Sequence, residues 1–290
     1  MKNCVWHLSL LVVVLAFTVA STAQESSKLA FKFQTLNVKG SQETDIYGIS
    51  NSGAAVGSYI DSGGIEHGLI LAGGKAKNID DPNTTTGTFC YNMNASRAIV
   101  GYYLNSSGLA QGFLYKGGKF TDVGPAGNGS YALGINTKGV IAGYYYDSSN
   151  VEHGFIWNGK NYTILDVPTA TNSGAWGIND KGWISLFWID SKKNYEGALY
   201  KGKKYTTINV PGAVWSIAHS INSAGDVVFS WTDSSGNYHG AIRTGGKYYK
   251  FSDPKAPNNT RPDGINDHRT VAGRFEGTGK STYLGFKATY

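Results

Sequence analysis

Cysteine is almost missing from this chain: its 290 residues include two, Cys4 and Cys90. Cys4 falls in an N-terminal apolar segment, so Cys90 has no intrachain partner and the fold must hold without disulfides. Cys90 sits in the alternating stretch TFCYNM, the setting of a small buried filler rather than a nucleophile. Charge is sparse too, at 16% of residues, and the net +6 is spread thinly. No block of Lys and Arg occurs, which gives no pointer to nucleic acid. Nothing after the first residues reads as a helix of useful length. There is one long apolar run, LSLLVVVLAFTVA, placed between Lys2 and the small residues STA ending at Ala23. That pattern predicts a secretory signal peptide over 1–23, too short for a comfortable membrane span. The chain is therefore expected outside the cell or in the periplasm, with no membrane span after cleavage, as one domain over 24–290.

Catalytic signatures are absent as well. Neither H-E-x-x-H nor G-x-S-x-G occurs. GTGKS at Gly277–Ser281 resembles the end of a phosphate loop, but Arg274 stands where its first Gly is required and no helix follows. The sequence points to no cofactor.

What the chain has in quantity is glycine, 39 residues, and aromatic side chains at 13%. These suit a turn-rich, folded β protein. They are also periodic. With Asn136 of GINTKG as a ruler, the same position falls at Ser50, Asn94, Asn179, Asn222 and Asn266, with spacings of 44, 42, 43, 43 and 44 residues. Gly68, Gly112, Gly154, Gly197, Gly240 and Gly285 keep the phase. So do Pro82, Pro125, Pro168, Pro211 and Pro254, five of the seven prolines. A period of this size marks a propeller or a solenoid.

Each unit reads as four strands with period-two alternation, a to d: SYALGIN, VIAGYYY, HGFIW and NYTILDV in the third copy. Asn and Gly in NTKG suit a tight a–b hairpin. The sixth copy stops after its third strand, at Tyr290. The missing fourth lies at the front of the chain, where FKFQTLNVKG resembles KKYTTINVPG. An open solenoid has no reason to divide a unit between its termini. The expected fold is all-β: a six-bladed β-propeller of four antiparallel strands per blade, closed by an N-terminal strand.

The unit GINTKGVIAGYY…HGFIW resembles the bacterial extracellular HAF repeat, with its GIN-x-x-G-x-V-x-G run and an H-A-F-like triplet. The resemblance spans nearly all of the chain after the signal. It implies a secreted β-propeller and transfers no catalytic residue. Copies four and five depart from it, with Leu186 and Phe229 in place of Gly.

Residues repeated in every blade are expected to build the blade. Tyr59, Tyr103, Tyr145, Trp188, Trp231 and Phe275 share one position and read as packing between blades. His67, His153 and His239 share another. Strands about 4.8 Å apart place them too far from the axis to meet at one ion, so no metal site is expected. Asp61, Asp147, Asp190 and Asp233 open the b–c turns.

Unequal positions are better candidates for function. Three residues before the ruler lie Tyr47, Tyr91, Leu133, Trp176, His219 and Asp263. Trp215 and Arg261 are expected in nearby d–a loops. Tyr47, Tyr91, Trp176, Trp215, His219, Arg261 and Asp263 form a candidate ligand-binding mouth, with aromatic planes for a sugar ring. His219 and Asp263, with Asp45 from the first d–a loop, are candidate catalytic groups. Three readings follow: a carbohydrate-binding, lectin-like protein; a hydrolase or lyase acting on a polysaccharide; or a structural module docking a protein partner. The expected state is a monomer.

Overall fold

The computed structural model describes residues 29–84, 86–277 and 282–290. The expected signal peptide 1–23 and most of GTGKS lie outside the described residues. The described chain forms six separate four-stranded antiparallel sheets, and no helix occurs among the described residues. The sheets are the six blades of a β-propeller. Their innermost strands, a, are Glu43–Ile49, Thr88–Met93, Ser130–Ile135, Asn172–Ile178, Trp215–Ile221 and Thr260–Ile265. The chain then runs outward through b, c and d.

Ring closure follows the split repeat. Blade 6 takes a, b and c from Thr260–Ile265, Thr270–Glu276 and Tyr283–Thr289, and d from Lys32–Leu36. Phe33 pairs with Ala288 and Leu36 with Gly285. Phe31 stacks on Phe251 of blade 5 at 4.4 Å, and Phe33 packs on Phe286 at 5.5 Å. The first strand thus joins the core between the last two blades and pairs the outer edge of strand c in blade 6.

The GIN motif acquires its physical reason here. In blade 3, Asn136 Oδ1 accepts the N–H groups of Lys138 and Val140, at 3.1 and 3.0 Å, and so shapes the a–b turn. Its Nδ2 donates to Asn179 O of the next blade at 3.3 Å. Asn94, Asn179, Asn222 and Asn266 tie their neighbours in the same way, the last reaching Ser50 O. Ser50 breaks the circle. Its hydroxyl turns back to Ala54 O, and no side chain ties blade 1 to Asn94 O. The preceding Gly lies where inner strands touch backbone to backbone. A Cβ on Gly134 would sit 2.9 Å from Gly177 Cα, and one on Gly264 2.8 Å from Gly48 Cα.

Hydrophobic cores lie between blades. Val56, Ile79, Cys90, Ile99, Tyr103 and Phe113 form one across blades 1 and 2. Each such side chain, fully buried, contributes about 1.5–3 kcal/mol. Cys90 is wholly buried, and burial pushes its thiol far above the usual range. Of the repeated aromatics, Tyr103, Trp231 and Phe275 sit in these cores.

Candidate functional site

Every inner strand carries one β-bulge. The pairing of strands a and b slips between Ile46 and Gly48, Cys90 and Asn92, Ala132 and Gly134, Ala175 and Gly177, Ala218 and Ile221, and Pro262 and Gly264. The residues that slip out of register are the six unequal ones: Tyr47, Tyr91, Leu133, Trp176, His219 (with Ser220) and Asp263. A bulge leaves one residue unpaired and re-aims its side chain. Here it turns all six into a collar around the axis. Tyr47 and Tyr91 stack in parallel at 4.4 Å, Trp176 meets His219 edge-on at 4.4 Å, and His219 Nδ1 lies 3.4 Å from Asp263 Oδ1.

Above the collar the channel is half filled. On the side of blades 2 and 3, Phe89 stacks on Tyr102 and Tyr131 on Tyr144, with centroids 4.6 and 4.5 Å apart, and Tyr102 meets Tyr131 edge-on at 4.7 Å. On the opposite side the same strand positions carry the smaller Gly174, Ile217 and Ser230 beside Phe187, Arg261 and Arg274. A cavity of about 190 Å³ remains there. Its walls are Trp176 from blade 4, Trp215, Ile217, His219, Ser230 and Tyr238 from blade 5, Arg261, Asp263 and Arg274 from blade 6, and Tyr91 below. One water needs only about 10–15 Å³ of such space. Drug-sized pockets start near 300 Å³, so this cavity suits a single small ring.

Six of the seven residues expected at the mouth line this cavity. Tyr47 does not: it is 8% exposed and packs between Tyr91 and the Arg274 guanidinium, whose centre is 5.1 Å from its ring. Three expected placements change. Trp215 and Arg261 are the first and second residues of inner strands, not loop residues, and Asp45 lies inside strand Glu43–Ile49. The inner strands begin earlier than their apolar pattern suggested, because ladder pairing to strand b carries these polar and aromatic positions.

Arg274, on strand b of blade 6, is the residue that sequence reasoning missed. Its Nη1 lies 3.2 Å from Asp263 Oδ2 and its Nε 3.5 Å from Asp45 Oδ1. It thus gathers the three candidate catalytic groups around one cation, since His219 touches Asp263. A signal was available: Ser58, Tyr102, Tyr144, Phe187, Ser230 and Arg274 share a repeat position and differ as much as the collar residues do. Tyr238 was missed likewise, at the start of a strand c.

The electrostatics follow from burial. His219 is 6% exposed, and burial, aided by the Arg274 charge, pushes its pKa down to about 3. The imidazole is therefore neutral at pH 7. Burial pushes Asp263 up to about 6, against the pull of Arg274. Burial raises Asp45 as well, again against Arg274. Burial opposes the charge on Arg274, but Asp263, Tyr47 and Asp45 outweigh it and keep the guanidinium protonated. Among the described residues, both ring nitrogens of His219 and Nε1 of Trp176 have no hydrogen-bond partner. Buried polar groups are normally satisfied, and these three atoms belong to walls of the cavity.

Other clusters explain themselves structurally. His67 Nδ1 meets Asp80 at 2.9 Å and Nε2 meets Asp61 at 3.4 Å; His153 repeats this with Asp166 and Asp147. His239 holds Ser252 and Asp233. Each imidazole clamps the b–c turn to the end of strand d within its own blade. Among the described residues no group of three or more His, Cys, Asp or Glu could hold a metal ion. At the other end of the axis a cavity of about 90 Å³ is lined by the Asn collar, whose amides are already tied to one another. Among the described residues no helix is long and apolar enough to cross a membrane.

Solved structures share this architecture at low identity. A mutant of Aleuria aurantia lectin in complex with alpha-methyl-L-fucoside aligns over 88% of this chain and 93% of its own, with TM-score 0.56 and 14% identity. SapL1 lectin in complex with alpha methyl fucoside aligns over 86% and 93%, with TM-score 0.57 and 12% identity. A putative TolB from Agrobacterium tumefaciens aligns over 72% and 79%, with TM-score 0.55 and 15% identity. At these identities the likeness is one of fold. No family model and no curated protein matches the chain.

Proposed function

We propose that this protein is an exported, lectin-like sugar-binding propeller whose site is the axial cavity on the d–a face. The observation that carries the reading is the convergence there of aromatic planes with unpartnered buried polar atoms. Trp176, Trp215 and Tyr238 offer rings to the C–H face of a sugar. Trp176 Nε1 and the His219 nitrogens offer hydrogen bonds to its hydroxyls. Two of the fold relatives are lectins solved with fucosides, which supports a glycan ligand without choosing one.

The polymer-cleaving reading has less support. Asp263 and Asp45 both face Arg274, and a His219 imidazole with a pKa near 3 is neutral and a weak base. General acid–base work favours groups with pKa values near the working pH.

The test is binding of the secreted chain to a glycan and polysaccharide array, repeated with the double variant Trp176→Ala, Trp215→Ala. The expected result is saturable binding to one sugar class, lost in the folded double variant. Undiminished affinity in that variant removes the site. Silence across the array, from a chain with β-type circular dichroism, moves the reading to protein docking.

A further inference from the structure

The cavity is lined by two guanidinium groups and a single carboxylate. Asp263 faces Arg274, and Asp45 faces Arg274 from outside the cavity lining. Arg261 is left over. Its Nε donates to Asn259 Oδ1 at 3.0 Å, and its plane lies over Tyr238 at 3.6 Å and near Tyr283 at 5.4 Å. Asn259 in turn donates to Glu276. Arg261 makes no ion pair among the described residues. Its two terminal nitrogens, the fork that matches a carboxylate, have no hydrogen-bond partner among the described residues. Stacking on Tyr238 holds the fork's plane, so little freedom is left to lose on binding.

Hydrogen-bond supply in the cavity is also one-sided. Trp176 Nε1 can only donate, as can the remaining N–H groups of Arg274. The Ser230 hydroxyl already donates to Pro262 O. Asp263 accepts from Arg274. Unused donors therefore outnumber unused acceptors, and a ligand rich in acceptors satisfies them. Resting on the sugar-binding reading, we infer that the axial cavity is built for an acidic sugar: its ring lies among Trp176, Trp215 and Tyr238, and its carboxylate is held by the free fork of Arg261 beside Arg274.

Proton linkage is consistent with this. Asp263, held up to about 6 by burial, competes for Arg274 only while ionised. Protonating it frees Arg274 for the incoming anion. The other groups facing this guanidinium are Asp45 and Glu43 on the adjoining inner strand, Tyr47, Tyr91, Tyr283 and the neutral His219, with Arg261 beside it in the cavity. Burial holds Glu43 up to about 7, so it too takes up a proton over this range. Affinity for the acidic sugar rises as the pH falls from 7.5 to 5.5.

Titration calorimetry with matched probes tests the inference: oligogalacturonate, alginate and hyaluronan oligomers, each as the acid and as its methyl ester, with neutral galactan and an alpha-fucoside alongside. The acid of at least one pair should bind about tenfold more tightly than its ester. The preference should weaken in high salt and strengthen at pH 5.5. Arg261→Gln should bring acid and ester to the same affinity, and Arg261→Lys should restore part of the difference. Should Arg261→Gln fail to fold, the acid-to-ester ratio and its salt dependence in the parent protein still decide. Equal binding of acid and ester, or binding confined to the neutral sugars, overturns the acidic-sugar inference and leaves the lectin reading standing. No binding to any probe overturns both.

Discussion

Arg274 Nη1 lies 3.2 Å from Asp263 Oδ2 in a nearly dry collar, where Asp263 is 7% exposed. The pair closes the ring electrostatically, because the same guanidinium also faces Asp45 of blade 1. Removing one partner from a buried ion pair costs about 3–5 kcal/mol, since the other charge is stranded. Arg274→Met should therefore lose stability of that order at pH 7.5. The loss should be smaller at pH 5, below the value of about 6 at which Asp263 takes up a proton. Urea unfolding at the two pH values checks this. An equal loss at both would mean that Asp263 does not change its charge between these pH values.

Glu152 should make the fold sensitive to alkali. It is 7% exposed, its Oε1 has no partner, and burial pushes its pKa up to about 8 against the Tyr146 hydrogen bond and the His153 charge. The sign follows from linkage. Between about 4.5 and 8 the folded protein holds a proton that the unfolded chain releases, so stability falls as the pH climbs through that window. Glu152→Gln removes this contribution. The parent protein should lose on the order of a few kcal/mol relative to the variant between pH 5 and 9. Paired melting curves across that range measure it. Parallel curves would rule it out.

Ser50 is the one gap in the Asn circle. Ser50→Asn should supply the missing tie to Asn94 O and the turn bonds its equivalents make. One such hydrogen bond contributes about 0.5–1.5 kcal/mol, a rise of roughly 1–5 °C in Tm. A lower melting temperature would show that the Ser50 hydroxyl bond to Ala54 O matters more than the tie.

Much of this was legible in the chain because repetition multiplies weak signals. One GIN is an unremarkable turn; the same phase at Asn94, Asn136, Asn179, Asn222 and Asn266 marks a propeller. The unequal positions were legible by the same comparison, and five of the six collar residues were singled out or placed by it as candidates: Tyr47, Tyr91, Trp176, His219 and Asp263. Arg274 was not legible in this way because it lies on strand b, outside the row of unequal strand-a positions. It sits one strand farther out, and its length carries the guanidinium back to Asp263 and Asp45 on the inner strands.

The linear order of residues determined the blade, the number of blades and the closing strand. Each depends on local alternation, turn chemistry and a count, which are properties of sequence. The tertiary structure alone decided that Tyr47 supports rather than lines the cavity, that Arg274 binds Asp45 to Asp263, and that blades 2 and 3 fill the channel while blades 4 to 6 leave it open. Those outcomes depend on bulges that re-aim side chains and on volumes that different blades bring together at the axis.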